Sequence, residues 1–278
     1  MPAAVSLPRL EIRTQFDTSD FVESGETLQD WLDGAGRVVA CGGRTGDGWW
    51  IRWTGLATFA FGTQGPVKAY PVRPDLDEEI RDAFARGITP IVLLARGCDG
   101  LHASGVVGPS GVLGFCGLSE TGKSTLAFTL AAAGFPHFAD DALMYRVVGG
   151  RPLAFPIPFP VRVDSATRQS ISMRSFPRDV TVEAPEGIPL KRIYLLRRDA
   201  ALDPAKPVFQ RVPPAVSFTT LLTHARPFEM GSAARQREFL ENLLTTARMV
   251  DVWECRFAPD LDALPSFASA VRAHASEQ

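Results

Sequence analysis

The residues best suited to do chemistry lie near the middle of the chain. Gly117-Leu118-Ser119-Glu120-Thr121-Gly122-Lys123-Ser124 follows the pattern Gly, four residues, Gly-Lys-Ser, with Thr125 after it. That pattern is a phosphate-binding loop. Gly117 and Gly122 allow backbone angles that a Cβ disfavours, so successive N–H groups can turn inward as an anion nest. Lys123 supplies a compact positive charge for the outer phosphates of a nucleoside triphosphate, and the Ser124 hydroxyl can enter a Mg²⁺ shell. A helix starting here points the positive end of its dipole at the same place. The cofactor-binding set on this reading is Gly117, Leu118, Ser119, Glu120, Thr121, Gly122, Lys123, Ser124 and Thr125.

A second constellation is the adjacent pair Asp140 and Asp141. Neighbouring acids are most often simply solvated, and burying two is expensive. The order of elements argues for a role. If the strand ending at Ala139 runs parallel to the one ending at Cys116, both carboxyl ends share one sheet edge. One carboxylate can then serve Mg²⁺ while its neighbour accepts the proton of an attacking hydroxyl. His102 opens the first strand of a hairpin whose second strand leads into the loop, and antiparallel pairing sets the start of one beside the end of the other. A lone histidine is as readily structural as catalytic.

His102, Ser104, Gly117–Thr125, Ala133-Gly134-Phe135 and Ala139-Asp140-Asp141 together resemble the HPr kinase/phosphorylase family, and more closely the stand-alone kinases similar to its C-terminal domain. The resemblance covers residues 98–147 and continues in pattern to the C-terminus. It implies a small α/β core around the phosphate loop, distinct from the usual P-loop NTPases. It also implies use of ATP and Mg²⁺ to phosphorylate a hydroxyl, serine above all. Carried over by position, Lys123 and Ser124 are the phosphate and metal contacts, Asp140 the proton acceptor, Asp141 the neighbouring carboxylate serving metal with Ser124, and His102 an active-site histidine. The departures are Glu120 where the family has Gly, Thr125 where it has Glu, and no Glu-x-Arg-Gly-Leu-Gly segment after Asp141. Phosphorolysis, and HPr as partner, are therefore not implied.

The elements that must position these residues are legible in outline. Val112–Cys116 reads as a buried strand; Leu126, Leu130 and Ala131 follow at helical spacing, and Gly134-Phe135-Pro136 ends that helix. Before it, Val5–Leu7, Leu10–Arg13, Val38–Cys41, Trp49–Trp53, Ala57–Phe61 and Val67–Tyr70 read as short strands, with the tryptophans covering a small sheet. Asp75 and Glu78 read as a capping box for a helix closed by Gly87, and Ile91–Ala95 as a strand buried on both faces. After the loop come a hairpin over 145–155, an extended proline-rich stretch from Pro156, a polar segment over 164–188, and a strand at Pro189–Arg197. Helices are expected over 216–224, 233–249 and 264–273, and a strand at Val250–Glu254; the second helix presents Phe239, Leu240, Leu243 and Leu244 on one face. Arg226, before Pro227, could reach a phosphate but reads first as a surface ion-pair residue.

The expected fold is therefore α/β, an HPr-kinase-like P-loop core over 98–278 with a β-rich part over 1–97 packed against it. The 278 residues carry a formal charge of −2, with 45% hydrophobic and 22% charged residues. That balance argues against nucleic acid or an acidic membrane as partner. Cys41, Cys98, Cys116 and Cys255 lack metal-ligand spacing and read as free thiols. No leader or spanning run is evident, so the expectation is cytoplasmic. The expected activity is transfer from ATP to a hydroxyl of a protein, peptide or small molecule. The alternative is a nucleotide-binding regulatory module without transferase activity. A homo-oligomer is compatible with the sequence.

Overall fold

The computed structural model describes residues 5–13, 27–46, 48–157 and 182–277. The fold is mixed α/β, with two large sheets and few helices. By its contacts the chain divides into two units. One comprises Ser6–Cys98 with Pro227–Glu238, the other Met1–Val5, Asp99–Arg226 and Phe239–Gln278.

In the first unit the strands are β1 (Leu10–Ile12), β2 (Thr27–Leu32), β3 (Val38–Thr45), β4 (Gly48–Trp53), β5 (Ala57–Gly62) and β6 (Val67–Pro71). Strands β2 to β6 form an antiparallel meander, and β1 joins the far edge parallel to β6. Residues 5–9 are not a strand. Trp49 and Trp50 are buried. The Trp49 indole N–H donates to the Met230 carbonyl at 3.3 Å, and its ring meets Phe228 edge-on at 5.3 Å. These tryptophans are packing residues of their own unit.

The helical part of this unit departs from expectation. Asp75 lies in the left-handed region (φ 69), and the cap position of α1 (Asp77–Ala83) falls to Leu76 without a side-chain bond, so no capping box forms. Gly87 does not end the helix. A π-turn over Phe84–Ile88 carries it into α2 (Thr89–Ala95), so Ile91–Ala95 is helix, not strand. A short apolar run buried all round looks alike in either state. The π-turn also has a local cause. Pro90 has no N–H to give and its ring crowds the carbonyl four residues back, which a widened turn relieves. Gly87 is kept for space: a Cβ there would lie 2.6 Å from the Trp53 ring. Gly87→Ala should therefore destabilise the fold by about 1–3 kcal/mol through overpacking; an unchanged denaturation midpoint would refute that contact.

The second unit carries β7 (Asp99–Leu101), β8 (Ala103–Gly108), β9 (Gly111–Cys116), α3 (Lys123–Ala132), β10 (His137–Ala139), β11 (Leu143–Val148), β12 (Arg151–Phe155), β13 (Ile188–Arg198), β14 (Val208–Arg211), α4 (Pro214–Leu222), the greater part of α5 (Ala233–Met249), β15 (Asp251–Phe257) and α6 (Leu264–Ser276). The strand path is β10-β8-β9-β13-β12-β11-β7. The long strand β13 organises it. On one side it pairs in parallel with β9; on the other, Ile188 and Pro189 hold β12 while Arg192–Arg198 hold β15 in parallel. β14 adds antiparallel to β15; with three of its four side chains exposed, it carried no strand signal in the sequence. On one face Leu126 and Leu130 of α3 and Phe267 and Val271 of α6 pack with Phe115 and Tyr194. A separate core joins Leu221 of α4 and Phe239 and Leu243 of α5 to Leu101, Phe138 and Tyr145.

On α5 the buried stripe is Phe239, Leu243, Thr246 and Ala247, while Leu240 and Leu244 stay 44% and 38% exposed. The spacing i, i+4, i+7, i+8 selects that face, so the expected four-residue cluster is only half right. The extended stretch expected at 158–163 and the polar segment over 164–181 lie outside the described residues. None of the described helices is long and apolar enough to cross a membrane.

Candidate active site

Strand register assembles the site. Antiparallel pairing of β8 with β9 sets Ala103 opposite Cys116 and Ser104 opposite Phe115, so β8 begins where β9 ends and the 117–124 loop starts. β10 pairs antiparallel with β8, Ala139 opposite Gly105, and thus runs in the same direction as β9 from two places away. Asp140 emerges beyond Ala139, next to Ser104. The chain then turns through Asp141, at a left-handed φ of 65, into β11, which pairs with β7 with Leu143 opposite Leu101. Two interrupted strands thus lie side by side, one broken at His102 and the other at Asp140-Asp141-Ala142. The sheet-edge expectation is met, although β10 and β9 are not adjacent.

The loop joins β9 to α3, whose first residues are Lys123 and Ser124. Gly122 takes a left-handed φ of 106, and a Cβ on Gly117 would lie 3.2 Å from the Leu196 carbonyl oxygen. Glu120 is also left-handed (φ 62), a conformation that favours glycine and costs other residues about 1–2 kcal/mol. Its backbone is braced: the Arg198 guanidinium donates to the carbonyls of Glu120 and Thr121. The Glu120, Leu118 and Ser119 side chains are exposed, whereas Thr121 is buried and donates to the Leu118 carbonyl at 2.6 Å.

Lys123 is buried, and its ammonium donates to the carbonyls of Gly117 (3.1 Å) and Leu118 (3.0 Å). Burial lowers its pKa, against the raising influence of Asp141 and Asp140. Burial pushes the neighbouring Cys116 thiol up to about 12, so it stays protonated and inert. Among the described residues all four cysteines are free.

Asp140 is the carboxylate that meets the loop. Its Oδ1 accepts from the Ser124 hydroxyl at 2.6 Å and from the fully buried Ser104 hydroxyl at 2.9 Å, and the two hydroxyls lie 3.3 Å apart. Asp141 belongs to a different cluster. Its Oδ1 lies 3.0 Å from His102 Nδ1, and its Oδ2 accepts from Arg226 at 3.1 Å. Arg226 Nη2 also lies 2.8 Å from His102 Nδ1. That nitrogen can donate to Asp141 or accept from Arg226 according to its tautomer; the Arg226–Asp141 bond holds in both cases. The His102 hydrogen bond, then the Arg226 charge, hold Asp141 down to about 2 against the opposing effect of burial. The stability this depressed pKa contributes is present above the ordinary carboxylate pKa near 4 and is lost as pH falls toward 2.

The structure therefore brings Lys123, Ser124 and Asp140 together, and sets Asp141 with His102. It does not bring Asp141 into hydrogen-bond contact with Ser124. Three residues of the neighbourhood were given no role in the site from the sequence: Ser104, Arg198 and Arg226. Ser104 had a signal in its place two residues after His102 on a strand leading to the loop. Arg226, expected as a surface ion-pair residue, does form an ion pair, with Asp141; nothing local shows that residues 224–226 return beside β7 and so bring that pair next to the loop.

No known protein-family profile matches the chain, and no curated protein matches it. Among solved structures it is similar to the HPr(Ser) kinase/phosphatase from Coxiella burnetii, with 12% identity and a TM-score of 0.35 over 63% of this chain and 89% of that one.

Proposed function

We propose that the 117–125 loop binds ATP with Mg²⁺ and that the site transfers the terminal phosphoryl group to a hydroxyl, serine in a protein or peptide or an alcohol of a small molecule. The observation that carries this reading is the convergence of a buried loop lysine, the hydroxyl of Ser124 and the carboxylate of Asp140 at one sheet edge. Lys123 and the loop amides hold the outer phosphates. Ser124 and Asp140, with Ser104 behind them, form a hard-oxygen donor set of the kind Mg²⁺ takes alongside water and phosphate oxygens. When bound, Mg²⁺ neutralises the charge that develops on the phosphate oxygens.

This exchanges the two aspartate roles expected from sequence. Asp140 serves the metal with Ser124, and Asp141, 66% exposed and fixed by His102 and Arg226, faces the acceptor. In transfer the acceptor oxygen attacks the terminal phosphorus, the bond to the leaving diphosphate breaks, and the hydroxyl proton passes to Asp141. A carboxylate with so low a pKa is a weak base; its main task is to orient the hydroxyl, which suffices for a loose transition state.

The test is a transfer screen with γ-labelled ATP and Mg²⁺ against serine peptides and a metabolite pool. Labelled acceptor is expected. Nucleotide binding without transfer would favour the regulatory module, and phosphate release with no acceptor would indicate hydrolysis. In the same assay Glu120→Gly should keep or improve nucleotide affinity, because it removes left-handed strain and a negative charge from the loop. A severalfold loss would show that the Glu120 side chain contributes to binding.

A further inference from the structure

Residues 224–226 form a short antiparallel pairing beside β7. His102 N–H donates to the His224 carbonyl at 2.7 Å, Arg226 N–H donates to the Gly100 carbonyl at 2.9 Å, and Leu101 and Ala225 face each other between them. Leu101 is fully buried, and Ala225 packs against the same core. Leu101 and Ala225 thus face the core, while His102, at a break between strands, and Arg226 turn their side chains to Asp141; His224 sits beside them in the turn that ends α4. Two of these three make the Asp141 cluster: His102 at 3.0 Å and Arg226 at 3.1 Å. The third, His224, stands directly across from His102.

His224 is half-buried and its ring has no hydrogen-bond partner among the described residues, whereas His102 and Arg226 beside it are both engaged. Burial first, with the nearby His102 and the Lys123 ammonium behind it, lowers its pKa, which favours the neutral imidazole. A neutral imidazole carries one N–H donor that needs no counter-ion. The Lys123 ammonium bears on it, so an anionic acceptor fits this place better than a second donor does.

We infer that His224 is a ligand-contacting residue of this site, donating a hydrogen bond to an oxygen of the terminal phosphoryl group of the bound triphosphate. The inference rests on the proposed triphosphate site. It adds a contact that distinguishes ATP from ADP, because a donor reaching only the terminal group has no partner in the diphosphate.

The test compares binding of Mg²⁺·ADP and of a non-hydrolysable Mg²⁺·ATP analogue to the wild-type chain and to His224→Ala and His224→Gln, by calorimetry. His224→Ala should weaken the analogue about ten- to a hundredfold, the range of one hydrogen bond to a charged acceptor, and leave ADP unchanged. His224→Gln, which keeps a donor at similar reach, should recover part of the loss. Equal loss for both nucleotides, or no loss for either, in a folded His224→Ala or His224→Gln protein would overturn the contact while leaving the triphosphate site standing. A wild-type chain that binds neither nucleotide would overturn the site itself, and this contact with it.

Discussion

Asp140→Asn is expected to lower phosphoryl transfer by about a hundred- to a thousandfold, the usual cost of removing one preorganised charge from such a site. Asn keeps the volume and one acceptor oxygen, so the Ser104 and Ser124 hydroxyls retain a partner and folding should survive. What is lost is the negative charge beside Ser124. The defect should appear as a raised Mg²⁺ requirement, with ADP affinity in the absence of metal little changed. Asp141→Asn should behave differently, with the rate falling while the Mg²⁺ dependence stays where it was. Metal titrations of transfer in the two variants separate the assignments. If Asp141→Asn shifts the Mg²⁺ midpoint and Asp140→Asn does not, the roles expected from the sequence are the right ones.

Lys123→Ala should weaken binding of an ATP analogue by about a hundredfold or more, since the ammonium is the loop's one side-chain cation and is placed for charge-assisted bonds to phosphate oxygens. Its stability effect should be small or even favourable. Lys123 is a buried charge whose pKa is lowered by burial, and within the loop it donates to the carbonyls of Gly117 and Leu118. Removing a desolvated cation at neutral pH relieves a cost that ligand binding otherwise offsets. Calorimetry for affinity and denaturant unfolding for stability check both halves. A severe unfolding defect with nucleotide affinity intact would mean that Lys123 is structural.

The loop and the Asp140-Asp141 pair were legible because their signals are local. Gly117 and Gly122 mark backbone geometry, Lys123-Ser124 marks chemistry, and the strand–loop–helix order follows from short apolar periodicities around them. That the two aspartates hold different partners was not legible. It depends on a left-handed turn at Asp141 that sends adjacent side chains to different partners, and no residue type announces that φ. The place of Arg226 and its segment beside the loop was not legible for a related reason. The segment reaches the site through a pairing with β7 across more than a hundred residues of chain, made by two backbone hydrogen bonds. The helix at Thr89–Ala95 failed on periodicity, because Val92, Leu93 and Leu94 are all buried and a run buried all round has none to read. Glu120 is the reverse case: the departure from glycine was visible, and the structure shows what accompanies it, a strained φ with Arg198 bracing the carbonyl.

The central claim is that Lys123, Ser124 and Asp140 form one site for Mg²⁺ and a nucleoside triphosphate. Calorimetric titration of a non-hydrolysable ATP analogue into the wild-type chain, with Mg²⁺ and then with a chelator, tests it most directly. Saturable binding at one site per chain is expected, weakening at least about tenfold when Mg²⁺ is removed. Absence of binding, or the same affinity in both conditions, would contradict it.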